Sequence, residues 1–230
     1  MPFNLTYIFF ILPGLILSII ASIAVNSAYK KWSRVSNTRN MTGLQVADYL
    51  KNRYQLDELR FVQTQGTLSD HYDPSSKTLA LSQGTSTIPS VAAMAITAHE
   101  LGHAMQDRDN YAPMKIRRVL VPVVNIGSNV GMILVVIGMV LNLMGLATIG
   151  VILFASTTLF SLITVPIELN ASKRAKAMLE ESYLMTSDEE RKGVNKVLNA
   201  AAWTYVAGLI TSILQLLYYV SLIGGGRRRS

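Results

Sequence analysis

Long apolar runs without a charge alternate with polar segments along this chain. The first run extends from about Leu5 to Val25, about 21 residues with no Asp, Glu, Lys or Arg, which matches the ~20 residues a helix needs to cross a bilayer. The next begins after Lys115, Arg117 and Arg118 and lasts until Glu168. Its 49 uncharged positions, 119–167, exceed one span and suit two, with a turn near Asn142-Leu143-Met144-Gly145. Asn125, Ser128 and Asn129 recur at helical spacing early in that region, where polar side chains face other helices rather than lipid. The last run covers about Ala201 to Ile223 and ends in Gly224-Gly225-Gly226 and Arg227-Arg228-Arg229. Ahead of it, Ser187-Asp188-Glu189-Glu190 has the spacing of a capping box, so a helix is expected to begin near Asp188. Ala21-Ser22-Ile23-Ala24 offers the small residues of a signal-peptide cleavage site. Against that, Met1–Asn4 carries no basic residue and the run is long for a signal sequence, which favours an uncleaved anchor.

Between the first two apolar regions the pattern changes. Thr42 is placed to cap a helix with Leu44, Ala47 and Leu50 as its apolar stripe. Arg60 to Gln65, Leu68 to Tyr72 and Thr78 to Ser82 have the residue types of short strands. Asp73-Pro74-Ser75-Ser76 supplies the turn of a hairpin between the last two. From Ser90 to Gln106 the pattern becomes helical and rich in Ala and Met. The expected fold is therefore a mainly α integral membrane protein, with three to four transmembrane helices and a small α+β domain containing a short β-hairpin. Its segments are a first span at 5–25, a polar segment at 26–118, two spans at 119–167, polar helices at 168–200, a spanning or re-entrant helix at 201–223 and a basic tail at 224–230.

Composition narrows the function. Charged residues make up 15% of the chain, below the ~25% usual in soluble domains. With no cysteine, a disulfide framework and any thiolate metal site are excluded, so a metal must use His, carboxylate or water. The net charge of +7 is explained by basic flanks around membrane spans, and no nucleic-acid motif accompanies it. The segment 26–118 holds 12 Lys or Arg and 166–200 holds 6, whereas the turn near 142 holds none. This asymmetry predicts a multi-pass protein of the cell membrane with its polar segments in the cytoplasm. Arg227 to Arg229 conflict with four full spans in that orientation, so either they are translocated or the last segment is re-entrant or interfacial. Their simplest role is anchoring to anionic lipid, and the ten methionines read as packing residues.

Ala98-His99-Glu100-Leu101-Gly102-His103-Ala104 carries the chemistry. Two histidines four apart lie on one helical face, where both imidazoles can reach a single zinc ion. Glu100 would lie beside that ion and act as general base toward an attacking water. The chain has three histidines, so two of them falling in this pattern by chance is on the order of one in a thousand. A catalytic zinc takes three protein ligands and one open position. Asp occupies position 109, so the three-histidine spacing of metzincins is absent. The remaining candidates are His71, Asp107, Asp109 and a distant carboxylate. Glu168 is the best of them, because an acidic residue at the end of a span is costly unless paired or metal-bound.

His99-Glu100-Leu101-Gly102-His103 followed by Glu168-Leu169-Asn170-Ala171-Ser172 resembles the membrane gluzincins. Ser69-Asp70-His71-Tyr72-Asp73-Pro74, Leu79-Ala80-Leu81-Ser82 and Pro166-Ile167-Glu168 narrow the likeness. They resemble the YugP-type neutral zinc metallopeptidases of bacterial membranes, in order and over nearly the whole chain. The resemblance implies a zincin-like cytoplasmic domain, one Zn2+ per chain and Glu168 as third ligand. The gluzincin Asp that braces a zinc histidine falls at Ser172, with Asn170 as a substitute. It also implies that Leu79, Ala80, Leu81 and Ser82 bind an extended substrate by edge pairing; an ordinary hairpin strand is the alternative. His71 and Tyr72 are candidate oxyanion stabilisers, against a structural role for the histidine.

These readings imply a zinc endopeptidase acting at the cytoplasmic membrane face, with a role in membrane protein quality control. Its partners would be a protein or peptide substrate, the lipid bilayer and other membrane proteins, and no nucleic acid. The alternative is a non-proteolytic membrane adaptor or scaffold with a structural zinc, which has no need of Glu100. A metal transporter fits less well, since the spans hold no His, Asp or Glu.

Overall fold

A computed structural model describes residues 5–226 of the chain. Seven helices and three strands follow in the order α1 (Leu5–Trp32), α2 (Gly43–Arg53), β1 (Arg60–Thr64), β2 (His71–Asp73), β3 (Thr78–Ser82), α3 (Gln83–Thr87), α4 (Val91–Arg108), α5 (Ala112–Val140), α6 (Met144–Glu181) and α7 (Asp188–Gly226). Four of them, α1, α5, α6 and α7, are long and apolar enough to cross a membrane. The protein is thus mainly helical, with four candidate membrane-spanning helices and a small three-stranded sheet. The basic tail Arg227–Arg229 lies outside the described residues.

The chain forms two compact units. Among the described residues, one comprises 5–21, 115–166 and 204–226. Within it α5 and α6 pack through small residues: a Cβ at Gly138 would lie 2.4 Å from the Ala147 backbone nitrogen, and one at Gly131 would lie 2.8 Å from the Gly150 carbonyl oxygen. Such close backbone approach supplies the dispersion contacts that hold helices together where no hydrophobic effect operates between them. The turn between these two helices passes through Asn142 at φ 55°, a left-handed conformation that Asn tolerates.

The second unit comprises Ser22–Met114 and Ile167–Trp203. Its core is helix α4, on which fourteen of eighteen residues are buried, packed with Val46, Leu50, Leu79, Leu81, Met178, Leu179 and Leu198. Ser90 caps α4 by accepting from the Ala93 N–H. Thr42 and Gln45 form a reciprocal capping box at the start of α2, satisfying two otherwise unpaired donors. Ser187 and Glu190 do the same for α7.

Three expectations need correction. Leu44 is 43% exposed, whereas Gly43, Val46, Ala47 and Leu50 are buried; the buried stripe of α2 is rotated because Gly43, lacking a Cβ, is the residue pressed against the Thr85 carbonyl. Leu79–Ser82 is not an edge. The sheet order is β1-β3-β2, with β3 parallel to β1 and antiparallel to β2, so Leu79 and Ala80 are paired on both sides, while Leu81 and Ser82 pair with Gln63 and Thr64 of β1 and the Ser82 N–H donates to Asp70. All four are buried, as a central strand requires. The hairpin through Asp73–Ser76 forms, but β2 is confined to His71–Asp73. Gly66 at φ 98° and Leu68 at φ 56° turn the chain before it.

Candidate metal centre

Helix α4 presents His99 and His103 one turn apart, with ring centroids 4.8 Å apart and planes at 84°. Glu168 on α6 reaches between them. Its Oε2 lies 3.2 Å from His99 Nε2 and 3.4 Å from His103 Nε2. One ligand atom from each of the three residues falls within 4.8 Å of the others. The Glu168 carboxylate is 2% exposed, so burial there demands a partner.

The donor set suits zinc. Two imidazole nitrogens and one carboxylate oxygen are ligands of its catalytic sites, and a tetrahedron with bonds of about 2.0–2.2 Å has edges of about 3.3–3.6 Å. The separations of 3.2 and 3.4 Å between Glu168 and the two histidines are close to such edges.

The hydrogen bonds behind the ligands orient them. Gln106 donates both amide protons, to the Ile167 carbonyl at 2.8 Å and to Asn170 Oδ1 at 3.0 Å. Its Oε1 therefore faces His103 Nδ1 at 2.9 Å and must accept from it. That fixes the proton on Nδ1 and leaves the Nε2 lone pair for a metal. Asn170 also accepts from Arg174 Nε at 2.9 Å, and Arg174 is ion-paired to Asp109. On the other histidine, Ser172 Oγ lies 3.2 Å from His99 Nδ1. Ser172 thus sits against one ligand, while Asn170 reaches the other only through Gln106.

Glu100 lies on α4 beside the cluster, buried, and its Oε2 accepts from the Tyr72 backbone N–H at 3.0 Å. Burial pushes the Glu100 carboxyl above the usual range, and the fields of His99 and His103 oppose that rise. For His103 burial acts downward, but the hydrogen bond to Glu168 and the field of Glu100 outweigh it and raise its pKa above 6.5.

Close approach of α4 to α6 makes this assembly feasible. A Cβ on Gly102 would lie 2.5 Å from the Ala171 carbonyl oxygen, so glycine lets the two backbones meet at this distance and a larger residue would push them apart.

His71, Asp107 and Asp109 are not part of the ligand cluster, whereas Tyr72 meets the site through its backbone N–H to Glu100. His71 is exposed, with Nδ1 2.9 Å from the Ser69 carbonyl. The Tyr72 hydroxyl donates to Asp107 at 2.8 Å, and Asp107 is ion-paired with Lys77. Asp109 is held by Arg108 and Arg174. Asp107 and Asp109 are thus engaged by cations. Sequence reasoning missed Gln106, although its position three residues after His103 places it on the same helical face. It also missed Asp70, whose carboxylate accepts from the Ser82 N–H at 2.7 Å and from its hydroxyl at 3.2 Å.

Comparison with known proteins agrees with this geometry. Residues 7–224 match the model of the family described as "Putative neutral zinc metallopeptidase", and the chain belongs to that family. It is 38% identical over 221 residues to "Putative membrane protease YugP" of Bacillus subtilis (strain 168), covering 96% of this chain and 98% of that protein. No solved structure matches the chain.

Proposed function

We propose that this protein is a zinc-dependent endopeptidase of the cell membrane that hydrolyses peptide bonds on the cytoplasmic face, acting on unfolded or membrane-associated proteins. The observation that carries the reading is the convergence of His99, His103 and Glu168 on one point with Glu100 buried beside it. His99, His103 and Glu168 would hold one zinc ion. Bound there, the metal would supply Lewis-acid polarisation of a carbonyl and acidification of a water. The rest is the work of the chain. Glu100 accepts the proton of the attacking water and returns it to the leaving amine; its raised pKa brings it closer to the working pH of a general base. The Tyr72 N–H donates to the Glu100 carboxylate and orients it. Gln106 and Ser172 hold the two imidazoles in position. The cytoplasmic orientation is supported by the 18 Lys and Arg of segments 26–118 and 166–200, against none in the turn near 142. A part in membrane protein quality control belongs to the same proposal, as the role of a protease that acts on unfolded or membrane-associated proteins.

The test is metal content and cleavage of an unfolded casein substrate by detergent-purified wild type and Glu100→Gln. One zinc per chain in both proteins, with cleavage lost only in the variant, is the expected result. Zinc in both with cleavage by neither would transfer the protein to the class of adaptors with a structural zinc. Absence of metal from both would refute the centre itself.

A further inference from the structure

Helices α1 and α7 form a groove of about 710 Å³ that the peptidase reading does not use. Lys31, Lys192 and Lys196 line it together with Asn199, Trp32 and Trp203, and none of its lining residues is acidic. A further ammonium lies behind it, where Lys176 Nζ donates to Asn199 Oδ1 at 3.2 Å. Asp188 and Glu189 line a smaller neighbouring pocket that shares Lys31 and Lys192, which concentrates the groove's net positive charge toward Lys196 and Asn199.

Polarity changes along the groove in the same sense on both helices. Lys31 lies seven residues from Ala24, near the end of the first apolar run, and Lys196 lies seven residues from Trp203, near the start of the last one. Seven helical residues rise about 10 Å, comparable to the headgroup layer of one leaflet, about 5–8 Å. Trp203 is 62% exposed, as tryptophans at the membrane–water interface are. A soluble phosphate would match the lysines and leave the apolar end of the groove without a counterpart. A lipid matches both.

We propose that this groove binds the headgroup of an anionic phospholipid, with the phosphate among Lys31, Lys192 and Lys196 and the acyl chains leaving past Ala24 and Trp203. The proposal stands apart from the peptidase reading and does not require a metal.

Trp32 and Trp203 both line the groove, and the chain has 2 tryptophans, so its intrinsic tryptophan fluorescence reports on this place. The full chain is reconstituted in vesicles of phosphatidylcholine with a low mole fraction of phosphatidylglycerol, with bromine on the acyl chains of one lipid or the other. Preferential occupancy means that brominated phosphatidylglycerol quenches more than its mole fraction allows, with a preference of at least about fivefold, the value of a single lysine near an anionic surface. Replacing Lys31, Lys192 and Lys196 together by Gln is expected to bring the preference to parity, so that each brominated lipid quenches in proportion to its mole fraction. Replacing the exposed Lys30, Arg34 and Lys173 by Gln is expected to leave the preference intact. Parity in the wild type, or equal loss in both triple variants, would overturn the site. Millimolar inorganic phosphate abolishing the preference would reassign it to a soluble anion and overturn the lipid proposal.

Discussion

Replacing Gly102 by Ala adds one methyl group at the crossing of α4 and α6. The new Cβ would lie 2.5 Å from the Ala171 carbonyl oxygen, 3.1 Å from its carbon and 3.2 Å from its Cα. An acceptable C···O contact begins near 3.3 Å, so the helices must separate by roughly 0.8 Å. Overpacking of this kind costs about 1–3 kcal/mol, and the better helix propensity of Ala returns about 1 kcal/mol. The net loss of fold stability is therefore small, about 0–2 kcal/mol on those two figures. The site is affected far more. Ala171 is three residues from Glu168 on the same helix, so the displacement is transmitted to the ligand carboxylate, while His99 and His103 move with α4. A misplacement near 1 Å costs on the order of 10²-fold in rate. The assay is zinc affinity by chelator competition and casein cleavage, with a thermal melt to follow stability. Zinc affinity and cleavage should fall together while the melt shifts little. Ala171→Gly should not rescue the variant, because the obstruction is backbone. Wild-type zinc affinity and activity in Gly102→Ala would refute the claim that this close approach sets the ligand geometry.

Gln106→Ala removes the acceptor on His103 Nδ1 and should lower zinc affinity or cleavage by about 10–100-fold, measured by the same competition assay. Glu190 is buried and accepts N–H groups from Thr38, Thr186 and Ser187; Glu190→Ala should destabilise the protein by about 2–3 kcal/mol, read as a lower denaturation midpoint with zinc affinity little changed. The raised pKa of His103 makes a proton compete with the metal. In metal-free protein the added stability is fully present below the unfolded value of about 6.5 and is lost as pH rises through the higher folded value. Zinc affinity should accordingly increase across that window, and a titration calorimetry series that showed no rise in affinity with pH would contradict the assignment.

Local pattern determined the elements that need no distant partner. The charge-free runs became long helices because any bilayer span must satisfy its own backbone. Thr42, Ser90 and Ser187 appear as caps because capping is decided within three residues. The motif from His99 to His103 was legible for the same reason: helical spacing alone puts both imidazoles on one face. The cost of burying a charge at the end of a span ranked Glu168 above Asp107 and Asp109, but helical spacing does not bring it to the histidines. That is done by packing, which seats Glu168 over the histidines and gives the two aspartates to Lys77, Arg108 and Arg174. The strand Leu79–Ser82 was visible as a strand, but whether it is central depends on which segment pairs with its other side. That partner is β1, fourteen or more residues earlier in the chain. Gln106 and Gly102 follow the same rule. Their residue types are ordinary in a helix, and only the surface of α6 pressed against them makes one an orienting acceptor and the other a place where a larger residue would push the backbones apart.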